Sequence, residues 1–199
     1  MAVVLRAERT PSVPALLLRP WNSADAEPLV EAYRDPTLRR WTRLPVESPE
    51  DALRWLAVQR DGWADGSRLS FAVLSEQPDG PDRLLGNVVV KTSGKVVGSR
   101  EVGYWTAAYA RGRGVASRAL DVLSGWAFDS LGVDRLALLH QVDNPASCRV
   151  ADKTGYRYAR TLPARPPFPR DGHLHLRMAT PRGNPRRRRP CTGGGVPAP

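Results

Sequence analysis

The sequence predicts an α/β (α+β) fold, with a mixed, mainly antiparallel central sheet of about six to seven strands flanked by helices. Three observations carry that expectation. Extended runs rich in β-branched and aromatic residues follow one another from Leu69 to Thr106, separated by turn chemistry, as in an antiparallel meander. The stretch "EVGYWTAAYARGRGVASRALDVLSGWAF" (Glu101 to Phe128) then passes through a glycine-broken turn into an apolar pattern of helical period. Beyond it the chain alternates strand and helix and closes with two more extended runs.

"PALLLRP" (Pro14 to Pro20) reads as a short strand closed by proline. "NSADAEPLVEAYRD" follows as a helix capped by Asn22 or Ser23 and stopped before Pro36. In "SPEDALRWLAVQRDGWADG", Ser48 is an N-cap, Pro49 takes the first helical position, and Leu53, Leu56, Ala57 and Trp63 supply apolar positions. "LSFAVLS" (Leu69 to Ser75) and "LLGNVVVKT" (Leu84 to Thr92) pair as a hairpin across "QPDGPDR", and Arg100 to Thr106 makes the third strand.

From Val115 the residues Ala116, Ala119, Leu120, Leu123, Trp126, Ala127 and Leu131 recur at three- and four-residue spacing, an amphipathic helix that ends near Gly132. "DRLALLHQV" (Asp134 to Val142) is a largely apolar strand. "NPASCRVADKTG" is a helix with Asn144 as N-cap, Pro145 at the first position and Gly155 as C-cap. "YRYARTL" and "HLHLRMA" are the last two strands, separated by a proline-rich loop.

A chain of 199 residues with 41% hydrophobic content holds one core. We expect an extension at 1–13, a domain at 14–179 and a disordered tail at 180–199. The net charge is +10, and half of it lies in the last twenty residues, where Arg182, Arg186, Arg187, Arg188 and Arg189 face no acids. That tail has almost no large apolar side chains to offset the entropy of ordering it. It can touch phosphates weakly and without sequence preference, as a solvated basic end does. "MAVVLRAERTPS" is too charged for a signal peptide and no apolar run spans a bilayer, so a cytoplasmic protein is expected, without membrane contact, as a monomer or homodimer. Cys148 and Cys191 match neither a disulfide framework nor a metal spacing.

The turn "ARGRGVA" is an anion site in waiting. The first amides of a helix have no intrahelical acceptors, and the aligned dipoles add positive potential there. Gly112 and Gly114 open the approach to the backbone, and Arg111 and Arg113 add charge. A P-loop would need a lysine that "GRGVAS" lacks. A dinucleotide fingerprint, Gly112-x-Gly114-x-x-Ser117, would need a parallel start, and its acid, Asp143, comes late.

"Arg111-Gly112-Arg113-Gly114-Val115-Ala116" resembles the Arg/Gln-x-x-Gly-x-Gly/Ala motif of the GNAT N-acetyltransferases. "EVGYW", "NPASCRVADKTGY" and "DPTLRRWTRLPVESPEDALRWL" are similar to the branch that contains ribosomal-protein N-terminal acetyltransferases. The resemblance runs from about Leu16 to Ala179, in the same element order as the patterning. It implies an acyl-CoA N-acyltransferase fold, acetyl-coenzyme A as cosubstrate without a metal, and a primary amine, on a protein N-terminus or a small molecule, as acceptor. The amine attacks the thioester directly and the thiolate leaves.

On that resemblance the backbone amides of Arg111 to Ala116 hold the pyrophosphate. The strand Gly103 to Thr106, with Tyr104, Trp105 and Thr106 acting through main chain, holds the pantetheine arm. Gly103 also fits an ordinary bulge. Asn144 would bond the pantetheine and Ser147 would protonate the thiolate; equally, Asn144 is what any helix start uses, and Ser147 is unremarkable at its position. Glu101 is the candidate general base, against the plain reading of a solvated strand carboxylate.

His173 and His175 share a strand face, but His140 is alone on another strand, so no third ligand is expected and the histidines read as ordinary strand residues. The rival to an enzyme is a basic RNA- or ribosome-binding protein with a vestigial acyl-CoA pocket. Arg39, Arg40 and Arg43 near Trp41 hint at an acidic acceptor.

Overall fold

The computed structural model describes residues 3–10, 14–42, 44–76, 82–92, 98–165 and 169–180. All of the tail expected to be disordered beyond its first residue, the turn around Gly80 and Cys191 lie outside these residues. Among the described residues no helix is long and apolar enough to cross a membrane.

The strands β1 (Leu5–Ala7), β2 (Leu16–Pro20), β3 (Arg68–Ser75), β4 (Arg83–Thr92), β5 (Arg100–Thr106), β6 (Arg135–Gln141), β7 (Arg157–Leu162) and β8 (Gly172–Met178) form one sheet in the order β1-β2-β3-β4-β5-β6-β8-β7. Every pair is antiparallel except β5 with β6. A parallel pair needs a crossover, and the helix α4 (Val115–Ser130) supplies it.

The expected hairpin and third strand form as β3, β4 and β5, and their alternation divides the core. Phe71 and Val73 pack on the α4 side with Val88, Val102, Leu120 and Leu123. Ala72 and Leu74 pack on the other side with Trp21, Leu29, Leu38 and Trp55, under α1 (Ala26–Tyr33), α2 (Pro36–Trp41) and α3 (Pro49–Asp65). Ser48 caps α3 as expected, Asp51 completes a capping box with it, and Gly66 closes the helix at φ 71°. The short helix α5 (Pro145–Lys153) follows β6.

Two elements depart from the sequence reading. Pro36 stops α1 as expected but also starts α2, because Asp35 caps it, accepting from the amides of Thr37 at 3.0 Å and Leu38 at 3.2 Å. Residues 5–7, assigned to an extension, add an eighth strand at the sheet edge. Arg118 of α4 fixes that segment by donating to the carbonyls of Ala7 and Pro14 at 3.3 and 3.0 Å.

Candidate functional site

The turn before α4 has the backbone that anion binding requires. Gly112 and Gly114 sit at φ 76° and 74°, in the left-handed region that disfavours any side chain. A Cβ on either would meet no atom within 4 Å, so the protein leaves the approach open. Gly114 is the N-cap, and the first helical hydrogen bond runs from the Arg118 amide to the Gly114 carbonyl at 3.1 Å. The amides of Val115, Ala116 and Ser117 are therefore the free ones at this end. The Val115 side chain is buried in the core, so this residue can serve a ligand only through its main chain. Arg113 is exposed, whereas Arg111 is paired with Asp35. Burial works against the Asp35 carboxylate, but the hydrogen bonds from Arg111, Thr37 and Leu38 outweigh it and hold its pKa below the usual range.

Beside the turn, β5 and β6 part. They pair only from Arg100–Val102 to Leu136–Leu138, so Gly103 to Thr106 has β4 as its sole neighbouring strand among the described residues. The Ala107 amide donates to the Leu85 carbonyl at 2.9 Å, which sets the phase of the antiparallel ladder. Trp105 and Gly103 consequently turn their main-chain groups to β4, and Tyr104 and Thr106 turn theirs into the gap. The bulge reading of Gly103 does not hold, since its register with Val89 is unbroken. The bulge lies in β4 at Leu85, opposite the step from Val73 to Leu74. The Trp105 ring points away from α4 into the aromatic cluster, with Tyr33 at 5.9 Å and Trp21 at 6.1 Å between centroids.

On the α4 side, the buried Tyr104 phenol lies near Ser147, with no close hydrogen bond to its hydroxyl among the described residues. Burial pushes Tyr104 up to about 12, an effect its neighbour Ser147 partly offsets. Ser147 is itself buried in the first turn of α5. Asn144 caps that turn, accepting from the Ser147 amide at 3.2 Å. The cap reading of Asn144 is thus realised, and only its Nδ2 donors remain for another partner. Sequence reasoning gave Tyr104 a main-chain role alone; alternation does put its ring on the α5 side, but the nearness to Ser147 depends on the parting of β5 and β6.

On the opposite face, Glu101 is not the solvated carboxylate its strand position suggested. It is 8% exposed, paired with Lys91 at 2.7 Å. It lines a cavity of 440 Å³ with Leu139, Gln141, Arg160, Arg165 and Arg170. Asp143 pairs with Arg40 at 2.8 Å and Arg170 at 3.2 Å, which ties α2 to the loop before β8. Arg39 faces Glu47 at 4.0 Å, so the early basic segment is partly neutralised, and Arg43 lies outside the described residues.

The expectation that His173 and His175 lack a third ligand is corrected. The strand β8 inserts between β6 and β7, which puts His140 directly opposite His173. Cys148 of α5 joins them from above the sheet. Burial chiefly lowers the pKa of His140, opposed by the hydrogen bond to the Gln141 carbonyl and reinforced by the neighbouring histidines.

The chain matches the acetyltransferase (GNAT) domain over residues 15–157. Among solved structures it is similar to an acetyltransferase (GNAT family) from Bacillus anthracis, with 22% identity over 88% of this chain and 98% of that one and a TM-score of 0.72. RimL, the ribosomal L7/L12 alpha-N-protein acetyltransferase in complex with coenzyme A, aligns at 17% identity over 88% and 98%, with a TM-score of 0.74. The ribosomal-protein-S5-alanine acetyltransferase from Vibrio fischeri aligns at 16% identity over 89% and 96%, with a TM-score of 0.71. No curated protein matches the chain. At these identities the likeness to solved structures is one of fold.

Proposed function

Because this chain belongs to the GNAT acetyltransferases, we propose that it moves the acetyl group of acetyl-coenzyme A to a primary amine, on a protein N-terminus or a small molecule. The observation that carries this reading is the juxtaposition of two sets of main-chain donors and acceptors. The free amides of Val115 to Ser117 stand at the end of one helix, and Tyr104 and Thr106 offer their main chain to the gap beside it.

The α4 amides, with the helix dipole behind them, would take the pyrophosphate. The main chain of Tyr104 and Thr106 would take the pantetheine arm and donate to the thioester oxygen where charge develops. Ser147, or the Tyr104 phenol beside it, would protonate the departing thiolate. A phenol whose pKa is raised keeps its proton at neutral pH, as a donor must.

Glu101 opens on the other face, where the acceptor would arrive. It would draw a proton from the acceptor's ammonium group, directly or through water, before the neutral amine attacks, while Lys91 pairs with the carboxylate in its buried setting. Charge on the cavity rim bears on acceptor choice: Arg160, Arg165 and Arg170 favour an amine carried on an acidic peptide or an anionic molecule.

A panel of acidic, neutral and basic amines tests the reading, with release of free coenzyme A thiol as the readout. Turnover with acidic acceptors ahead of basic ones is expected. Coenzyme binding with no turnover on any amine would favour a binding protein instead.

A further inference from the structure

Three histidines and a cysteine from three elements converge on the α5-facing side of the sheet. The register of β6 with β8 sets His140 opposite His173 and Leu138 opposite His175, and alternation turns both β8 histidines to one face. Cys148 reaches the same place from the first turn of α5. Its Sγ lies 3.6 Å from His140 Nε2 and 3.5 Å from His173 Nδ1, and His140 Nε2 lies 3.2 Å from His175 Nε2. All four ligand atoms are within 4.8 Å of one another.

We propose that His140, Cys148, His173 and His175 form a tetrahedral site for a divalent, thiolate-accepting cation of the zinc class. A tetrahedral zinc ion held by imidazole and thiolate separates two nitrogens by about 3.3 Å and a nitrogen from a sulfur by about 3.6 Å. The three separations above fit those edges, and the remaining ones stay within 4.8 Å. Mixed nitrogen and sulfur donors select zinc over the oxygen-seeking magnesium and calcium.

The tautomers supply a second, independent observation. His140 Nδ1 lies 2.9 Å from the Gln141 carbonyl oxygen, which can only accept, so Nδ1 carries the proton and the Nε2 lone pair faces the cluster. The hydrogen between the two rings then belongs to His175 Nε2, and the buried His175 Nδ1 faces the Tyr156 backbone without a close hydrogen bond. On cation binding the Cys148 thiol loses its proton to solvent and sulfur joins the cation. His175 keeps one proton, moved from Nε2 to Nδ1, so one proton leaves per cation bound. Four protein ligands leave no open position, which makes the site structural. It fastens the first turn of α5, and with it Ser147, to β6 and β8.

The test is titration of cobalt(II), then zinc(II), into the metal-free full-length chain carrying Cys191→Ser. One cobalt per chain is expected, with the intense visible bands of a tetrahedral ion and a thiolate-to-cobalt charge-transfer band, both abolished by zinc. Cys148→Ser should lose the charge-transfer band. His173→Gln should bind at least about 100-fold more weakly, because losing an outer hydrogen bond alone costs roughly 10- to 100-fold. Zinc at one fixed concentration should raise the melting temperature of the parent more than that of either variant. A pale octahedral spectrum, or equal affinity in parent and Cys148→Ser, would overturn the site. If His173→Gln does not fold, the Cys148→Ser spectrum decides alone.

Discussion

Arg111 in the turn before α4 is paired with Asp35, the residue that caps α2. One carboxylate thus fastens the start of α2 to the proposed phosphate turn, and its ionisation is linked to stability. A carboxylate whose folded pKa is depressed contributes stability that is fully present above its unfolded value, about 3.9, and lost as pH falls through the lower folded value. Asp35→Asn keeps a capping oxygen and removes the charge. The wild type should melt above this variant at neutral pH, with the gap steady down to about pH 5 and closing below pH 4. A gap unchanged at pH 2 would show that Asp35 is not held as its partners imply.

Gly114 should tolerate few replacements, for two separable reasons. At φ 74° any Cβ is strained, so Gly114→Ala should cost about 1–2 kcal/mol of stability. The protein leaves open space at that Cβ, so a charge placed there meets the ligand and not the chain. Gly114→Glu should lose acetyl-coenzyme A binding well beyond Gly114→Ala, because its carboxylate opposes phosphate. Equal calorimetric affinities for the two folded variants would remove the turn from the pocket.

Ser147 lies near the Tyr104 phenol, so on the proposed mechanism either hydroxyl would stand in for the other as proton donor. Ser147→Ala and Tyr104→Phe should each lower kcat less than the double variant does, with coenzyme affinity close to wild type, since the interaction is realised in the transition state. General acid catalysis is worth roughly 10²- to 10⁴-fold, and a thiolate is a good leaving group, so about 10²-fold or less is expected for the pair. Asn144→Ala, which removes the cap, should instead cost on the order of 1 kcal/mol of stability. A wild-type kcat in the double variant would take both hydroxyls out of the chemistry.

Arg160 and Arg165 are exposed at the rim of the Glu101 cavity. Reversing both to glutamate should raise KM for an acidic acceptor by about tenfold or more at low ionic strength, with the effect shrinking in salt. The KM for acetyl-coenzyme A should not move. An unchanged acceptor KM would place the acceptor elsewhere.

The long elements were readable because their periodicity is strong: the α3 N-cap, the α4 stripe and the β3–β5 meander all form where the residues place them. What escaped was either short or non-local. Three residues, Leu5 to Ala7, carry no period, and the β2 edge, the core against α4 and Arg118 make them a strand. Pro36 reads as a stop, while Asp35 just before it makes it a start. The anion turn was visible in its glycines, since only they suit φ near 75°. The burial of Glu101 and the meeting of Tyr104 with Ser147 were not, because both depend on where β5 and β6 separate. The histidine cluster was hidden by strand order, which sets β8 beside β6 although β7 comes first in the chain.

Direct transfer is the central claim, and a quenched-flow mass balance tests it most directly. With acetyl-coenzyme A and an accepted amine, each free thiol released should be matched by one acetylated amine. With the amine omitted, the intact protein should show no acetyl group on Ser147, Cys148 or any other residue, because the chemistry needs both substrates bound together. Thiol released without acetylated amine, or an acetylated protein that later hands its acetyl group to the amine, would contradict the account.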